Sequence, residues 1–359
     1  MKFIDLETPY LQSKDEINAA IQRVLTHGQY IGGPEIAELE GKLAARAGVR
    51  HCIVMNSGTC ALQVALMALN IGPGDEVITT PFSFFAIAEA ILLVGAKAVF
   101  VDIDSRTYNL DPQLLEKAIT QNTKAIIPVS LFGQCADFDA INAIAERHNN
   151  IPVIEDGAQS FGALYKGRPS CGLSTLATTS FFPSKPLGCY GEGGACFTND
   201  DQLAHLMRSI INHGQEGRYE HVRVGFNGRL ASIQAAVLLV KLESFTKEIE
   251  LRQSVAAYYQ EQLKEAVITP YIEDYNLSVY AQYTIQVEQR DSVQEKLKTA
   301  GIPTAVHYPK PLHKQPIFKE TAYYSLSFPE SELAAARVLS LPFYPSMSPE
   351  NVKRVCDCL

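Results

Sequence analysis

From residue 51 onward the chain alternates short, unbroken apolar runs with longer stretches whose apolar residues recur every three or four positions. The runs at 51–56, 76–81, 96–103, 123–130, 151–156 and 178–183 are rich in valine, isoleucine and threonine. Runs of this length with no polar alternation predict strands covered on both faces, as in a mostly parallel or mixed sheet. Helical patterns lie where crossovers between parallel strands are needed: Asp111-Pro112 opens one that carries Leu114, Leu115, Ala118 and Ile119. Upstream, Ser13 and Glu16 form a capping-box pattern ahead of Ile17, Ala20, Ile21, Val24 and Leu25, and Gly28 marks that helix's end. A second helix opens at Pro34 and stops near Gly48. The expected fold class is α/β.

A long helical pattern with few breakers covers about 231–263, and the character of the chain then changes. A strand is expected at 279–287, Asp291 is placed to cap a helix ending at Gly301, and a proline-rich stretch follows at 303–316. The division expected is a large α/β domain over 1–244 and a smaller α+β domain over 245–359, joined rigidly by the long helix.

Composition narrows the classes. With 359 residues and 47% hydrophobic content, the chain can bury a catalytic core. A net charge of −8 and no basic stripe argue against nucleic acid as a ligand. Eight scattered cysteines without a C-x-x-C pair, and an opening Met-Lys-Phe-Ile-Asp with no apolar leader, point to reduced thiols and a cytoplasmic location with no membrane partner. The eight histidines show no H-x-x-x-H spacing, so no metal is expected.

Two residues carry the strongest chemistry. Asp156 closes the apolar run Ile-Pro-Val-Ile-Glu-Asp, at the end of a strand where open α/β sheets place ligand groups. Lys185 follows in Ser-Phe-Phe-Pro-Ser-Lys. Together they supply what pyridoxal 5'-phosphate (PLP) requires of a protein: an amine for a Schiff base and a carboxylate that keeps the pyridinium nitrogen protonated. Read alone, Lys185 is a surface charge and Asp156 a turn residue ahead of Gly157. The segment Asn-Ser-Gly58-Thr59-Cys runs from a strand into a helix that is apolar nearly all round, which suits an anion on free backbone N–H groups, or an ordinary helix cap. Ser180 is placed to add a hydroxyl to that anion site, and Gln159 to reach the phenolic oxygen of the ring or to face solvent.

Taken in order, Ser-Gly-Thr-x-Ala-Leu at 57–62, Ile-Glu-Asp-Gly-Ala-Gln at 154–159, Ser-Phe-Phe-Pro-Ser-Lys at 180–185, Gly-Glu-Gly-Gly at 191–194 and Asn-Gly-Arg-Leu at 227–230 resemble the DegT/StrS nucleotide-sugar aminotransferases. The likeness covers essentially the whole chain. It implies PLP fold type I, like aspartate aminotransferase, with Lys185 as the Schiff-base lysine, Asp156 on the ring nitrogen and Gln159 beside the ring oxygen. It also implies Gly58, Thr59 and Ser180 around the phosphate, with Asn227 reaching it from the second subunit of a homodimer. Phe84 is the aromatic expected over the ring, with Phe85 as the alternative because the run after Pro81 is a residue short of its relatives. Gly157, where relatives often carry alanine or cysteine, and Cys60 are departures.

Some members carry histidine at the lysine position and dehydrate sugars; the lysine here implies transamination. Within the family, Leu-Phe-Gly-Gln-Cys-Ala-Asp-Phe at 131–138 and the stretch 225–230 look most like enzymes that aminate C3 of a UDP-linked 2-acetamido-3-oxo-hexuronic acid. In that reading glutamate converts the cofactor to pyridoxamine phosphate, and the keto sugar then takes the amine. Both substrates bring carboxylates, for which Arg229, and His307 beside Tyr308, are candidate partners, or else an ordinary surface arginine and loop histidine, while Tyr30 either touches the sugar or only packs. Amination at C4, of the perosamine type, or of another nucleotide keto sugar remains open. So does a non-catalytic PLP-binding regulator, for which the chain has no basic recognition helix.

Overall fold

The apolar runs become strands of one mixed sheet in the computed structural model, which describes residues 1–263 and 266–359. The strands are β1 (His51–Met55), β2 (Glu76–Thr79), β3 (Lys97–Phe100), β4 (Thr123–Ile126), β5 (Ile154–Asp156), β6 (Leu176–Ser180) and β7 (Gly194–Thr198). A four-stranded set, β1-β7-β6-β5, and a three-stranded set, β4-β2-β3, meet through the parallel bridges Ile126–Val153 and Val129–Asp156. Only β7 runs antiparallel to the neighbours it pairs with, β1 and β6. As a result β1, β5 and β6 end on the edge of the sheet at which β7 begins, and the registers Met55–Gly194 and Ser180–Gly194 bring three chain segments together there.

Both faces of the sheet are covered, which is why its strands are apolar without alternation. One core includes Leu62, Ala65 and Leu66 of the helix Gly58–Ala68 and Ile87 and Ile91 of the helix Ala86–Leu93. The other includes Leu39 and Leu43 of the helix Pro34–Ala47, Phe138 and Ile141 of the helix Phe138–Arg147, and Phe161 stacked on Phe245 at 5.8 Å. Each large side chain so buried contributes about 1.5–3 kcal/mol. A third core lies around the antiparallel pair Tyr283–Gln286 and Val338–Leu341. The 32-residue helix Ser232–Leu263 spans two of these cores: it gives Leu238 and Phe245 to the second, and Val255 and Tyr259 to the third, where Tyr259 stacks on Tyr283 at 4.7 Å.

Two further links hold the C-terminal part against the sheet. Asp102, just past β3, accepts the N–H groups of Glu330 and Ser331 at 3.0 Å and so caps the helix Pro329–Arg337 from 228 residues away. Val279 and Ala281 donate to the carbonyls of Gly133 and Phe132. The strand expected at 279–287 is therefore shorter, because its first residues pair with the loop at Phe132 and Gly133 rather than with Val338–Leu341. The Gly28 and Gly48 stops are left-handed as expected, with φ of 72° and 68°. The capping box does not form: a short helix, Glu7–Gln12, runs into Ser13 and leaves it at φ −119°, ψ 26°, away from the extended geometry a capping serine needs. Asp291 lies inside the helix Arg290–Thr299, paired with Arg290, rather than at its cap. No described helix is long and apolar enough to cross a membrane.

Candidate active site

Asp156 ends β5 with its backbone held on both sides, its N–H on Pro128 O at 2.9 Å and its carbonyl accepting from Ser130 N–H at 3.0 Å. Its side chain is buried, takes one N–H, from Ala158 to Oδ1 at 3.0 Å, and makes no ion pair among the described residues. Burial raises its pKa, opposed by that N–H and by the charge of Lys185. Lys185 sits in the turn after β6, its own N–H on Phe182 O at 2.9 Å. The lysine keeps some surface open to the cleft, yet the walls around it are dense enough that desolvation lowers the amine pKa, with Asp156 acting in the other sense. An amine biased toward neutrality thus stands within electrostatic reach of a carboxylate that lacks a cation.

The neighbouring residue Glu155 points to the opposite face of β5. It is wholly buried, accepts from Ser170 Oγ at 2.6 Å and Cys171 N–H at 2.9 Å, and is pushed up to about 7 by desolvation.

Beside this pair lies the start of the helix Gly58–Ala68. Ser57 Oγ caps it by accepting Cys60 N–H at 3.1 Å, so the ordinary cap forms, while the N–H groups of Gly58 and Thr59 have no intrahelical acceptor. The approach of β6 to this turn is close: a Cβ on Gly58 would stand 2.7 Å from Ser180 Cβ. Gly194, between them in the sheet, would place a Cβ 2.4 Å from the Ser57 carbonyl and 2.6 Å from Gly58 N. Ser180 Oγ accepts from Phe182 N–H at 3.3 Å, which ties the anion-sized notch to the turn carrying Lys185.

A wall of polar and aromatic residues completes the cleft. Gln159, buried, takes Phe132 N–H on Oε1 at 2.8 Å and donates from Nε2 to Tyr308 Oη at 3.1 Å. The Tyr308 hydroxyl is held protonated by burial and by the charge of Asp156. Phe82 packs edge-on to Tyr308 at 6.3 Å and Phe84 tilts toward it at 6.1 Å. Phe84 is 59% exposed, whereas Phe85 turns into the core against Phe318. Burial lowers the pKa of His307, and the Lys185 charge lowers it further.

Lys185, Asp156, Gln159, Gly58, Thr59, Ser180, Phe84, His307 and Tyr308 therefore line one cleft. Tyr30, Asn227 and Arg229 bond to none of these side chains within one chain among the described residues, though Asn227 O accepts from Asn56 Nδ2 at 3.3 Å, just ahead of the Ser57–Thr59 turn. They lie along the open edge of β1, through the bridges Met55–Arg229 and Ile31–Ala231 and the bond from Ser232 N–H to Tyr30 O. Arg229 is four strand positions from β5, roughly 19 Å at the usual spacing. Its guanidinium is held by Asn227 Oδ1 and Asn212 Oδ1. Residues the sequence did not flag also shape the site: Phe132 through its N–H, Phe82, and Ser340, whose Oγ is 2.9 Å from His307 Nδ1. A lone serine or phenylalanine in an apolar run carries no signal of such a contact.

The arrangement fits PLP. A buried carboxylate without a cation suits a protonated ring nitrogen, a neutral-leaning lysine suits the aldehyde, and free N–H groups at a helix start suit the phosphate.

Comparison with known proteins agrees. The model of the DegT/DnrJ/EryC1/StrS aminotransferase family matches residues 11–359. The UDP-2-acetamido-2-deoxy-3-oxo-D-glucuronate aminotransferase of Pseudomonas aeruginosa is 60% identical, over 100% of this chain and 99% of its own. Among solved structures, DesV of S. venezuelae in complex with a ketimine intermediate superposes with a TM-score of 0.97 at 39% identity, covering 99% of this chain and 96% of that one. The ntda protein of Bacillus subtilis with bound cofactor PMP gives 0.91 at 32% identity, over 97% and 81%. Family match, full-length relatives and a cleft built for a PLP aldehyde converge, and the chain belongs to the DegT/DnrJ/EryC1/StrS aminotransferases, PLP-dependent enzymes of α/β fold.

Proposed function

We propose that the enzyme moves an amino group from glutamate to the C3 keto carbon of a UDP-linked 2-acetamido-3-oxo-hexuronic acid, a step toward the diacetamido-uronic acids of bacterial surface polysaccharide. The observation that carries this reading is the 60% identity, over the whole chain, with the P. aeruginosa enzyme whose name specifies that acid. When bound, PLP supplies an electron sink for the pair released as a C–H bond next to nitrogen breaks. Asp156 would accept the ring N–H, which would give its buried carboxylate the cation it lacks. Lys185 Nζ, which burial biases toward the neutral amine, takes the proton from the amino-bearing carbon of the donor and later delivers one to C3 of the sugar. Gly58, Thr59 and Ser180 would hold the phosphate. Gln159 has a second Nε2 hydrogen that would serve the ring oxygen, and Phe84 would lie over the ring. His307 and Tyr308 meet the substrate.

The remaining residues fit a homodimer. Tyr30, Asn227 and Arg229 share the β1 edge with Ile31, which is 51% exposed, and the segment leading into Asn227 carries Tyr219 at 79% and Val224 at 83% exposure. An apolar rim of this kind marks a surface that another protein covers. A second copy presenting the same rim would carry Asn227 to the phosphate and the Arg229 fork to a carboxylate.

The test is single-turnover transfer from glutamate to a panel of nucleotide keto sugars, with the aminated carbon assigned by NMR. The 3-keto uronic acid should react fastest, and Lys185→Ala should lose both transfer and the PLP label that borohydride fixes on the peptide containing residue 185. A 4-keto sugar aminated at least as fast would overturn the substrate assignment, and a label persisting in the alanine variant would overturn the role of Lys185.

A further inference from the structure

Behind His307 lies a pair of hydroxyls that the reaction as described does not use. Thr284 and Ser340 face each other in register across the strands Tyr283–Gln286 and Val338–Leu341, and their oxygens are 2.9 Å apart. Both side chains are buried, at 2% and 0% exposure. Ser340 Oγ also lies 2.9 Å from His307 Nδ1, so Thr284 Oγ1, Ser340 Oγ and His307 Nδ1 form a three-membered chain of hydrogen bonds. The ring is clamped from the sides, by Phe3 at 6.3 Å and by Tyr308 edge-on at 5.8 Å. Its other nitrogen, Nε2, makes no hydrogen bond among the described residues.

The protons of such a chain can run in two directions. In one, Thr284 donates to Ser340 and Ser340 donates to Nδ1, which leaves the imidazole proton on Nε2. In the other, Nδ1 donates to Ser340 and Ser340 to Thr284, which leaves the Thr284 hydroxyl hydrogen without a protein acceptor among the described residues. In the first arrangement the hydrogen without a protein partner is on Nε2 of a half-buried ring, where water or substrate can take it, whereas Thr284 is 2% exposed, and leaving its hydroxyl hydrogen unbonded biases the equilibrium by a factor of about ten or more. We propose that the Thr284–Ser340 pair is a positioning device that holds His307 as a neutral imidazole with its proton on Nε2, aimed as a hydrogen-bond donor at an anionic oxygen of the substrate. A neutral donor grips a carboxylate without adding a second cation beside Lys185, whose amine has to exchange protons freely. The substrate half of this inference rests on the acidic sugar proposed above. The tautomer half does not.

The experiment separates the two. In enzyme labelled with 15N-histidine, with His307→Gln used for assignment, long-range proton–nitrogen spectra should show Nε2 protonated and Nδ1 bare at residue 307. Ser340→Ala should scramble that pattern. Thr284→Val should weaken the preference, because Ser340 loses the donor that turns its own hydrogen toward Nδ1, and a pattern unmoved by this variant overturns the part given to Thr284. In turnover, Ser340→Ala should raise KM for the 3-keto uronic acid about tenfold with kcat within twofold, and leave KM for the analogue with a neutral C6 hydroxymethyl unchanged. An Nδ1-protonated His307 in the unmodified enzyme, or a pattern unmoved by Ser340→Ala, overturns the proposal. A correct tautomer in an enzyme that ignores the acidic sugar would keep the relay and reject the substrate instead.

Discussion

Replacing Gly58 with alanine sets two effects of opposite sign on one turn. Alanine is the better helix former, by at most about 1 kcal/mol and by less at the first position. Against this, the new methyl would stand 2.7 Å from Ser180 Cβ, 3.2 Å from its Oγ and 3.3 Å from its Cα, where ordinary contact begins at 3.4 Å. Helix start and strand end must therefore part by about 0.7 Å, the shortfall between those two distances. Ser180 cannot retreat, because it is paired with Gly194, which is itself packed against the Ser57 carbonyl. The helix start has to move instead. Overpacking of this kind costs about 1–3 kcal/mol, so the net loss of stability should be about 1–2 kcal/mol. The same shift pulls the Gly58 and Thr59 N–H groups off the phosphate. One charge-assisted bond, about 1.5–3 kcal/mol, corresponds to a ten- to hundredfold weaker affinity for PLP. The chain has no tryptophan, so urea unfolding of the apoprotein is best followed by circular dichroism, and PLP binding by equilibrium dialysis. A Gly58→Ala protein that is as stable as the parent and binds PLP equally well would refute the reasoning.

Asp156→Asn should bind PLP but transfer amine roughly a hundredfold more slowly or worse, because the ring loses its protonating partner; single-turnover rates measure this, and a rate within tenfold of the parent would remove Asp156 from the mechanism. Glu155, with its folded pKa raised to about 7 by burial, keeps its proton in the folded state where the unfolded chain has already lost it. Its contribution is full below the unfolded carboxyl pKa and is lost as pH rises through about 7. Apoprotein stability should fall by roughly 3 kcal/mol from this group between pH 5 and 8, and Glu155→Gln should flatten that slope in urea titrations at several pH values; parallel slopes would show that Glu155 is ionised throughout. Asp102→Ala removes the cap of the helix Pro329–Arg337 and orphans Ser331, and should cost about 2–4 kcal/mol in urea unfolding; a change below about 0.5 kcal/mol would mean that water substitutes for the carboxylate.

The elements that the chain announces are those whose signals lie between neighbours. Unbroken apolar runs specify strands buried on both faces, and Pro34, Asp111-Pro112, Gly28 and Gly48 punctuate helices by local backbone chemistry. Asp156, Lys185 and the turn at Ser57 to Thr59 stand out for the same reason, since each combines a strand end with an unusual polar residue. Where local signals failed, a neighbouring element had intervened. Ser13 has the right partner three residues on, yet the helix before it denies it the geometry to cap.

The amino-acid sequence by itself determined the strands, most of the helices, the placing of Asp156 and Lys185 at strand ends, and the resemblance that joins them. Only the tertiary structure decided which distant side chains face one another: Asp102 capping a helix 228 residues later, Gln159 bridging Phe132 to Tyr308, and Thr284 and Ser340 aligned behind His307. The reason is physical. Periodicity and turn preference are properties of adjacent residues, whereas a contact across strands depends on register and packing, which one residue's shift reverses and no local pattern encodes.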